Sequence, residues 1–494
     1  MIRLLGTPKV LCNGITRRDM LHVGGLSMLG LSYEQALRLQ AAQEATAAAP
    51  QFGKAKSCIL IHLFGAPPQH ETFDPKPEAP KEIQGDLGAI STSVPDYFIG
   101  EGFPNTARIA DRLTFVRSTT HEWPFHAVTY AVSGIPVISP TVEADPNDRT
   151  LWPFLGSVVD YLAQQQSSAR PEVPRNIALP FPVYRHANFR LLGGPYAGFL
   201  GQQYDPLWTE FSTPGTHKVP TLSEAQEVFD PYAGIKPEDR FELGGAAAKS
   251  GSDILQRLGL RRSLLEQFDQ TRRDLDRSQR VQNYDRYQQS AYEVLTSSKL
   301  SEALDIGREP EAVRNAYGMN LFGQSLLASR RLIEAGGKFV TVIWDAYGHA
   351  SAGWDTHSRH YPRLKEFLMP NFDHSFPAFI LDLEQRGLLD ETLVLCLSEH
   401  GRTPKLNNSR DGGRDHWSGT YCSLLAGGGM GKGNVVGKSD RIGGEVASNP
   451  ISPKDILASA FHLLGIDPHT TVPDQLQRPV PVAGAGVIRH ELFG

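Results

Sequence analysis

Unbroken apolar runs, rather than alternating ones, punctuate this chain. Residues 57–64 read Ser-Cys-Ile-Leu-Ile-His-Leu-Phe and stop at Gly65, Pro67 and Pro68. Shorter runs of the same kind occupy 113–117, 339–343, 393–397 and 423–425. An apolar run bounded by turn residues predicts a strand buried on both faces of a parallel sheet. Between these runs, residues 313–335, 367–384 and 453–464 carry helical spacing, the last opening with Ser452, Pro453 and Asp455 in capping order. Strands alternating with helices predict an α/β fold: a mostly parallel central sheet flanked by helices.

The middle of the chain breaks the pattern. From 165 to about 250 it is rich in Pro, Gly and aromatics with weak periodicity, and from 252 to about 300 it is charged and helical. The expectation is one α/β domain over 52–480, with 165–310 as an insertion or cap.

Composition adds bounds. The chain has 494 residues, 40% hydrophobic and 21% charged, as in ordinary globular proteins. Its 49 basic and 54 acidic residues give a net charge of −5 with no basic block, which argues against nucleic acid as a partner. Cys58, Cys396 and Cys422 sit in apolar runs and read as buried free thiols; with Cys12 they form no CxxC pair, so a sulfur-ligated zinc site is not supported. Thr16-Arg17-Arg18-Asp19-Met20-Leu21 precedes a short, weakly apolar stretch and then Ala45-Thr46-Ala47, a small-residue cleavage pattern. Residues 1–47 therefore read as a twin-arginine signal peptide, with the mature protein periplasmic or extracellular. No apolar run approaches the ~20 residues of a membrane span.

Candidate chemistry concentrates in three segments that pair carboxylate with imidazole. They are Trp354-Asp355-Thr356-His357-Ser358-Arg359-His360, Ser398-Glu399-His400-Gly401-Arg402 and Gly413-Arg414-Asp415-His416-Trp417. Mixed oxygen and nitrogen donors suit a zinc-class ion better than magnesium or calcium. His121-Glu122-Trp123-Pro124-Phe125-His126 misses the zinc-protease HExxH by one position, and Pro124 breaks the required helix. His121 and His126 remain candidates for substrate or metal contacts. Residues 427–433 match no phosphate-binding loop, and no GxSxG elbow is present.

Together with Gly65-Ala66-Pro67-Pro68-Gln69-His70-Glu71-Thr72-Phe73-Asp74-Pro75, these segments resemble the bacterial domain-of-unknown-function family 1501. That family is placed in the alkaline phosphatase-like superfamily of sulfatases and phosphatases. The resemblance implies metal ligands at the strand ends of the sheet. Glu399-His400-Gly401 is similar to the superfamily's Asp-His-Gly, and His416 to its late His. Asp355 with His360 approximates Asp-x-x-x-His but is one residue longer, so His357 competes with His360. Gly65 and Ala66 stand where the early Asp belongs, leaving Glu71 or Asp74 to reach back. Ser118, Thr119 and Thr120 follow the second strand, where a nucleophile is expected. The formylglycine signature of sulfatases is absent. Arg402 and Arg414 are candidate oxyanion clamps or, alternatively, partners that orient nearby carboxylates.

The implied function is an exported hydrolase of phosphate or sulfate esters, acting on a small-molecule or polysaccharide substrate. It would use one or two divalent ions, zinc first, with manganese or calcium as alternatives. The alternative is a non-catalytic exported binding or assembly protein on a degenerate hydrolase fold. Export predicts that an Arg17→Lys/Arg18→Lys variant stays in the cytoplasm on cell fractionation while the wild type leaves it. Equal distribution of the two would contradict the twin-arginine reading.

Overall fold

The structure, a computed structural model, describes residues 51–126, 128–135, 145–146, 148, 150–167, 171–185, 190–211, 213–221, 226–243, 297–345, 347 and 353–494. The leader and most of the charged stretch at 252–300 lie outside them. Among the described residues no helix is long and apolar enough to cross a membrane.

Among the described residues, nine strands form the main sheet: β1 (Ser57–Leu63), β2 (Leu113–Thr119), β3 (Asn176–Leu179), β4 (Leu207–Glu210), β5 (Glu242–Leu243), β6 (Phe339–Trp344), β7 (Thr392–Leu397), β8 (Tyr421–Ala426) and β9 (Asn434–Val436). Their spatial order is β5-β4-β3-β6-β1-β7-β8-β2-β9. β1 lies at the centre, parallel to β6 and β7, with all of its residues buried. β3 and β4 continue the parallel run on one side. On the other side β8 is antiparallel to both β7 and β2, so β2 points the same way as β1.

Alternation along β1 separates two cores. Ile59, Ile61 and Leu63 pack with Leu321, Leu326, Phe372 and Phe376 from helices α2 (Leu321–Glu334) and α3 (Met369–Gln385). Cys58 and Leu60 pack on the opposite face with Leu155, Val158, Ile456 and Phe461 from α1 (Leu155–Gln166) and α4 (Pro453–Leu463). This is the three-layer arrangement that strands apolar on both faces require.

Three differences from the sequence reading have local causes. The helix expected over 313–335 is two helices, Glu311–Tyr317 and α2, because Gly318 turns left-handed at φ +90 and Asn320 restarts the chain by accepting the Gly323 N–H at 2.9 Å. The middle segment is not only a cap. Its residues 176–179, 207–210 and 242–243 are β3, β4 and β5, strands too short for their periodicity to register. Cys422 is half-buried, unlike Cys58 and Cys396.

One long-range clamp links a flanking helix to the sheet. Asp373 on α3 is buried and accepts the N–H groups of Asn105 and Thr106 at 2.9 and 2.7 Å and the Thr106 hydroxyl at 2.8 Å. These N–H groups open the short helix Pro104–Arg108 that precedes β2. Asp373→Ala leaves the buried Thr106 N–H and hydroxyl without an acceptor, and a loss of about 2–3 kcal/mol is expected by urea unfolding. A change near zero would show that the clamp does not hold that helix.

Candidate metal centre

Because β1, β2, β6 and β7 point the same way, their C-terminal ends open on one edge of the sheet, where ligands of open α/β sheets gather. The loop after β1 brings Gly65, that after β2 brings His126, that after β6 brings Asp355 and His357, and that after β7 brings Glu399 and His400. His416 arrives on a short ribbon in which His416 pairs with Arg402 and Trp417 with Gly401. This rung folds the segment after β7 back over His400.

The side chains converge. Asp355 Oδ1 lies 3.1 Å from His357 Nε2 and 3.3 Å from His416 Nε2, and the two nitrogens are 3.0 Å apart. His126, His400 and His416 form a second group, with donor atoms in each group within 4.8 Å of one another. The rings of His126 and His416, and of His400 and His416, have centroids 4.3 Å apart.

The far nitrogens of these rings are anchored. His357 Nδ1 meets Asp415 Oδ1 at 2.7 Å, and His400 Nδ1 meets the Gly401 carbonyl at 2.8 Å. His400 Nε2 is buried without a hydrogen-bond partner. Glu399, fully buried, accepts the Gly65 N–H at 2.8 Å and faces His126 Nδ1 at 2.7 Å. Phe64 stacks on the His126 ring at 4.7 Å.

Electrostatics follow from burial and contact. Burial would raise both carboxyls, yet Arg402 and the imidazoles of His126, His357 and His416 hold Asp355 well below the usual range, and the imidazoles of His126, His62 and His400 do the same for Glu399. Burial pushes His400 and His416 down, toward neutral imidazole. His126 is opposed by burial but lifted to about 9 by its bonds to Asp355 and Glu399. His357 is raised by its bond to Asp355. Anionic Asp355 and Glu399 with neutral His400 and His416 are the protonation states that metal ligation needs, whereas His126 and His357, drawn toward the charged form by their carboxylate partners, would release a proton on binding an ion.

The other residues singled out in the sequence lie elsewhere in the network. Glu71 is paired with Arg414, whose Nε is 3.0 Å from both carboxylate oxygens, and with His360 Nε2 at 3.4 Å. His360 Nδ1 is held by the Thr356 hydroxyl at 2.8 Å, so His357 and not His360 joins Asp355. Asp74 faces Lys76 at 2.9 Å, Arg117 at 3.4 Å and the Ser439 hydroxyl. Ser118 donates to the Asn449 carbonyl at 2.6 Å, Thr119 meets Ser423 Oγ at 3.1 Å, and Thr120 donates to the Ser418 carbonyl at 3.1 Å. None of these three hydroxyls is bonded to the histidine cluster. Arg402 is buried and engaged with Asp355 and with the carbonyls of Gly65, Ala66 and Arg414, which places it inside the fold rather than in reach of a substrate anion.

Two contributors were hard to see in the sequence. His126 sits in the loop whose near-miss motif Pro124 disqualifies as a helix, yet a loop delivers the ring equally well. His62 looked like part of an apolar strand; its ring is buried, 3.3 Å from Glu399 Oε2, with neither nitrogen hydrogen-bonded. The signal was one polar residue inside a run otherwise suited to a core.

A family model, described as protein of unknown function (DUF1501), matches residues 55–493. The chain belongs to this family. No curated protein matches the chain. Solved structures similar to this DUF1501 chain include the PsFucS1 sulfatase from Pseudoalteromonas sp., at 11% identity and TM-score 0.39, covering 86% of this chain and 71% of that one. The lipoteichoic acid synthase LtaP from Listeria monocytogenes aligns at 11% identity and TM-score 0.35, covering 88% and 76%. The phosphonate monoester hydrolase SpPMH from Silicibacter pomeroyi aligns at 9% identity and TM-score 0.35, covering 88% and 76%.

The buried Glu71–Arg414 pair gives a pH test of the site's frame. Burial raises the Glu71 carboxyl, but Arg414 and His360 outweigh it and lower it from 4.5 to about 2. A depressed carboxyl contributes stability above pH 4.5 that is lost as pH falls toward 2. Arg414→Met strands the carboxylate, at a cost of about 3–5 kcal/mol at pH 7. The deficit relative to wild type shrinks at pH 4, where the stranded carboxyl protonates. Urea unfolding at both pH values checks this, and an equal deficit at each would contradict it.

Proposed function

We propose that this DUF1501 chain is an exported metal-dependent hydrolase of phosphate or sulfate esters. The observation that carries the metal is the triangle of Asp355 Oδ1, His357 Nε2 and His416 Nε2, with edges of 3.0, 3.1 and 3.3 Å. Two donors each ~2.0–2.1 Å from one tetrahedral zinc lie roughly 3.3 Å apart, so the three atoms fit one face of such a site. The buried, unpartnered Nε2 of His400 beside them fits as well. The ester class rests on the resemblance of the three motifs to the alkaline phosphatase-like superfamily, and export on the twin-arginine leader.

Asp355, His357 and His416 would hold the ion, with His400 beside them. When bound, a divalent ion supplies Lewis acidity that polarises an ester oxygen and makes water a competent nucleophile near neutral pH. Asp415 and the Gly401 carbonyl fix the His357 and His400 rings so that Nε2 of each faces inward, as carboxylate and carbonyl partners do around metals. With Ser118, Thr119 and Thr120 bonded elsewhere, the reading assigns the attack to water rather than to a hydroxyl side chain. Because both donor groups include His416, they favour one ion over two.

One feature favours the second reading, a binding or assembly protein on a degenerate hydrolase fold. The Arg402 guanidinium contacts Asp355 Oδ1, the same oxygen that His357 and His416 face. Elemental analysis of the purified protein, with a panel of aryl phosphate, phosphodiester and sulfate esters, separates the two readings.

His357→Ala and His416→Ala are each expected to weaken zinc or manganese binding by more than the roughly 10–100-fold typical of outer partners. Both side chains are partly exposed, so the melting temperature in chelator should stay near wild type. Unchanged metal content in both variants would remove the metal reading.

A further inference from the structure

We infer that Glu399 is a positioning carboxylate rather than a metal ligand: backed by His62, it locks His126 so that Nε2 of that ring joins His400 and His416. The inference rests on the reading that this cluster holds a metal ion, and it assigns a different role to a carboxylate that the sequence places among the candidate ligands.

Four observations carry it. Glu399 belongs to neither group of convergent donors among the described residues, His126/His400/His416 or Asp355/His357/His416. Its Oε1 is already committed, to the Gly65 N–H at 2.8 Å and to His126 Nδ1 at 2.7 Å. Its Oε2 points back into the sheet, toward His62 Nε2 at 3.3 Å, rather than out toward Asp355. His400 Nε2 is 3.9 Å away from Oε1, beyond hydrogen-bond reach.

His126 then has one nitrogen left. With Nδ1 on Glu399, Nε2 lies 3.4 Å from Asp355 Oδ2, on the cluster side of the ring. Phe64 covers the ring from one side and His416 meets it edge-on from another. The pattern matches the other two rings, each held at Nδ1 by an oxygen so that Nε2 faces inward: Asp415 holds His357 and the Gly401 carbonyl holds His400. A carboxylate on the outer nitrogen fixes the tautomer and raises the basicity of the inner one. His126, like His357, rides on a loop, and like His357 it is held at Nδ1 by a carboxylate, whereas His400, three residues after β7, is held by a backbone carbonyl.

His62 walls the carboxylate in at 3.3 Å without a hydrogen bond between them. It faces Glu399 from the centre of the sheet, on β1 opposite Leu397 of β7, two residues before Glu399. Gly65 supplies the other restraint. Its backbone is left-handed at φ +94, and a Cβ there would stand 2.3 Å from the Asp355 nitrogen. Only glycine lets this N–H reach Glu399 while the same peptide segment passes against Asp355.

The test is a double-mutant cycle on zinc affinity, measured in the full chain by competition with a chromophoric chelator. Glu399→Gln should weaken binding roughly 10–100-fold, and His126→Ala, which removes the ring itself, at least as much. The double variant should match His126→Ala within about twofold, because the carboxylate acts only through that ring. Losses that multiply in the double variant would overturn the inference and restore Glu399 as a ligand. In zinc-free wild type, ¹⁵N shifts should report His126 protonated at Nδ1 and hydrogen-bonded there, a signature lost in Glu399→Gln; its survival would also overturn the inference. Should Glu399→Gln misfold, His62→Phe tests the same coupling: it should weaken zinc only while His126 is present. His416→Ala separates the layers. If it leaves zinc binding intact, the metal reading fails; if it abolishes binding while the Glu399 and His126 losses multiply, only this inference fails.

Discussion

A single buried guanidinium sets the geometry of the strand-end edge. Arg402 donates to the carbonyls of Gly65 and Ala66 after β1, to Asp355 after β6, and to the Arg414 carbonyl on the segment that carries His416. A buried charge is tolerated only when its donors are satisfied, and removal of a partner is costly. The three loops are therefore held in register by a demand that the arginine itself creates. Asp355 is placed by that demand before any ion is considered, which leaves its carboxylate anionic at the mouth of the histidine cluster.

Carboxylates that look equivalent in the sequence are sorted by their partners. Glu71 faces Arg414 and His360 in a buried pair, Asp74 faces Lys76 and Arg117, Asp355 faces Arg402 and three imidazoles, and Glu399 faces only imidazoles and a backbone N–H. The first two are parts of the frame. Asp355 and Glu399 are the ones whose surroundings suit ion chemistry, and they differ in which way their second oxygen points.

The core strands were legible because burial on both faces writes itself as an unbroken apolar run, as in β1, β6 and β7. The short strands β3, β4 and β5 were not, since two to four residues are too few for a period to register. The three His-bearing segments were legible from residue type and order, and their convergence follows from the parallel direction of the strands before them. What spacing could not reveal was partnership across more than 270 positions, such as His126 with Glu399. Nor could it decide between His357 and His360, because the turn at Arg359, left-handed at φ +49, sends the two rings to different neighbours.

On the proposed reading, Asp355, His357 and His416 hold one divalent ion. Crystals loaded with zinc and measured on both sides of the zinc absorption edge test it most directly. One anomalous peak is expected, ~2.0–2.2 Å from Asp355 Oδ1, His357 Nε2 and His416 Nε2. No peak at that position in zinc-loaded crystals, or a peak held by other residues, would contradict it.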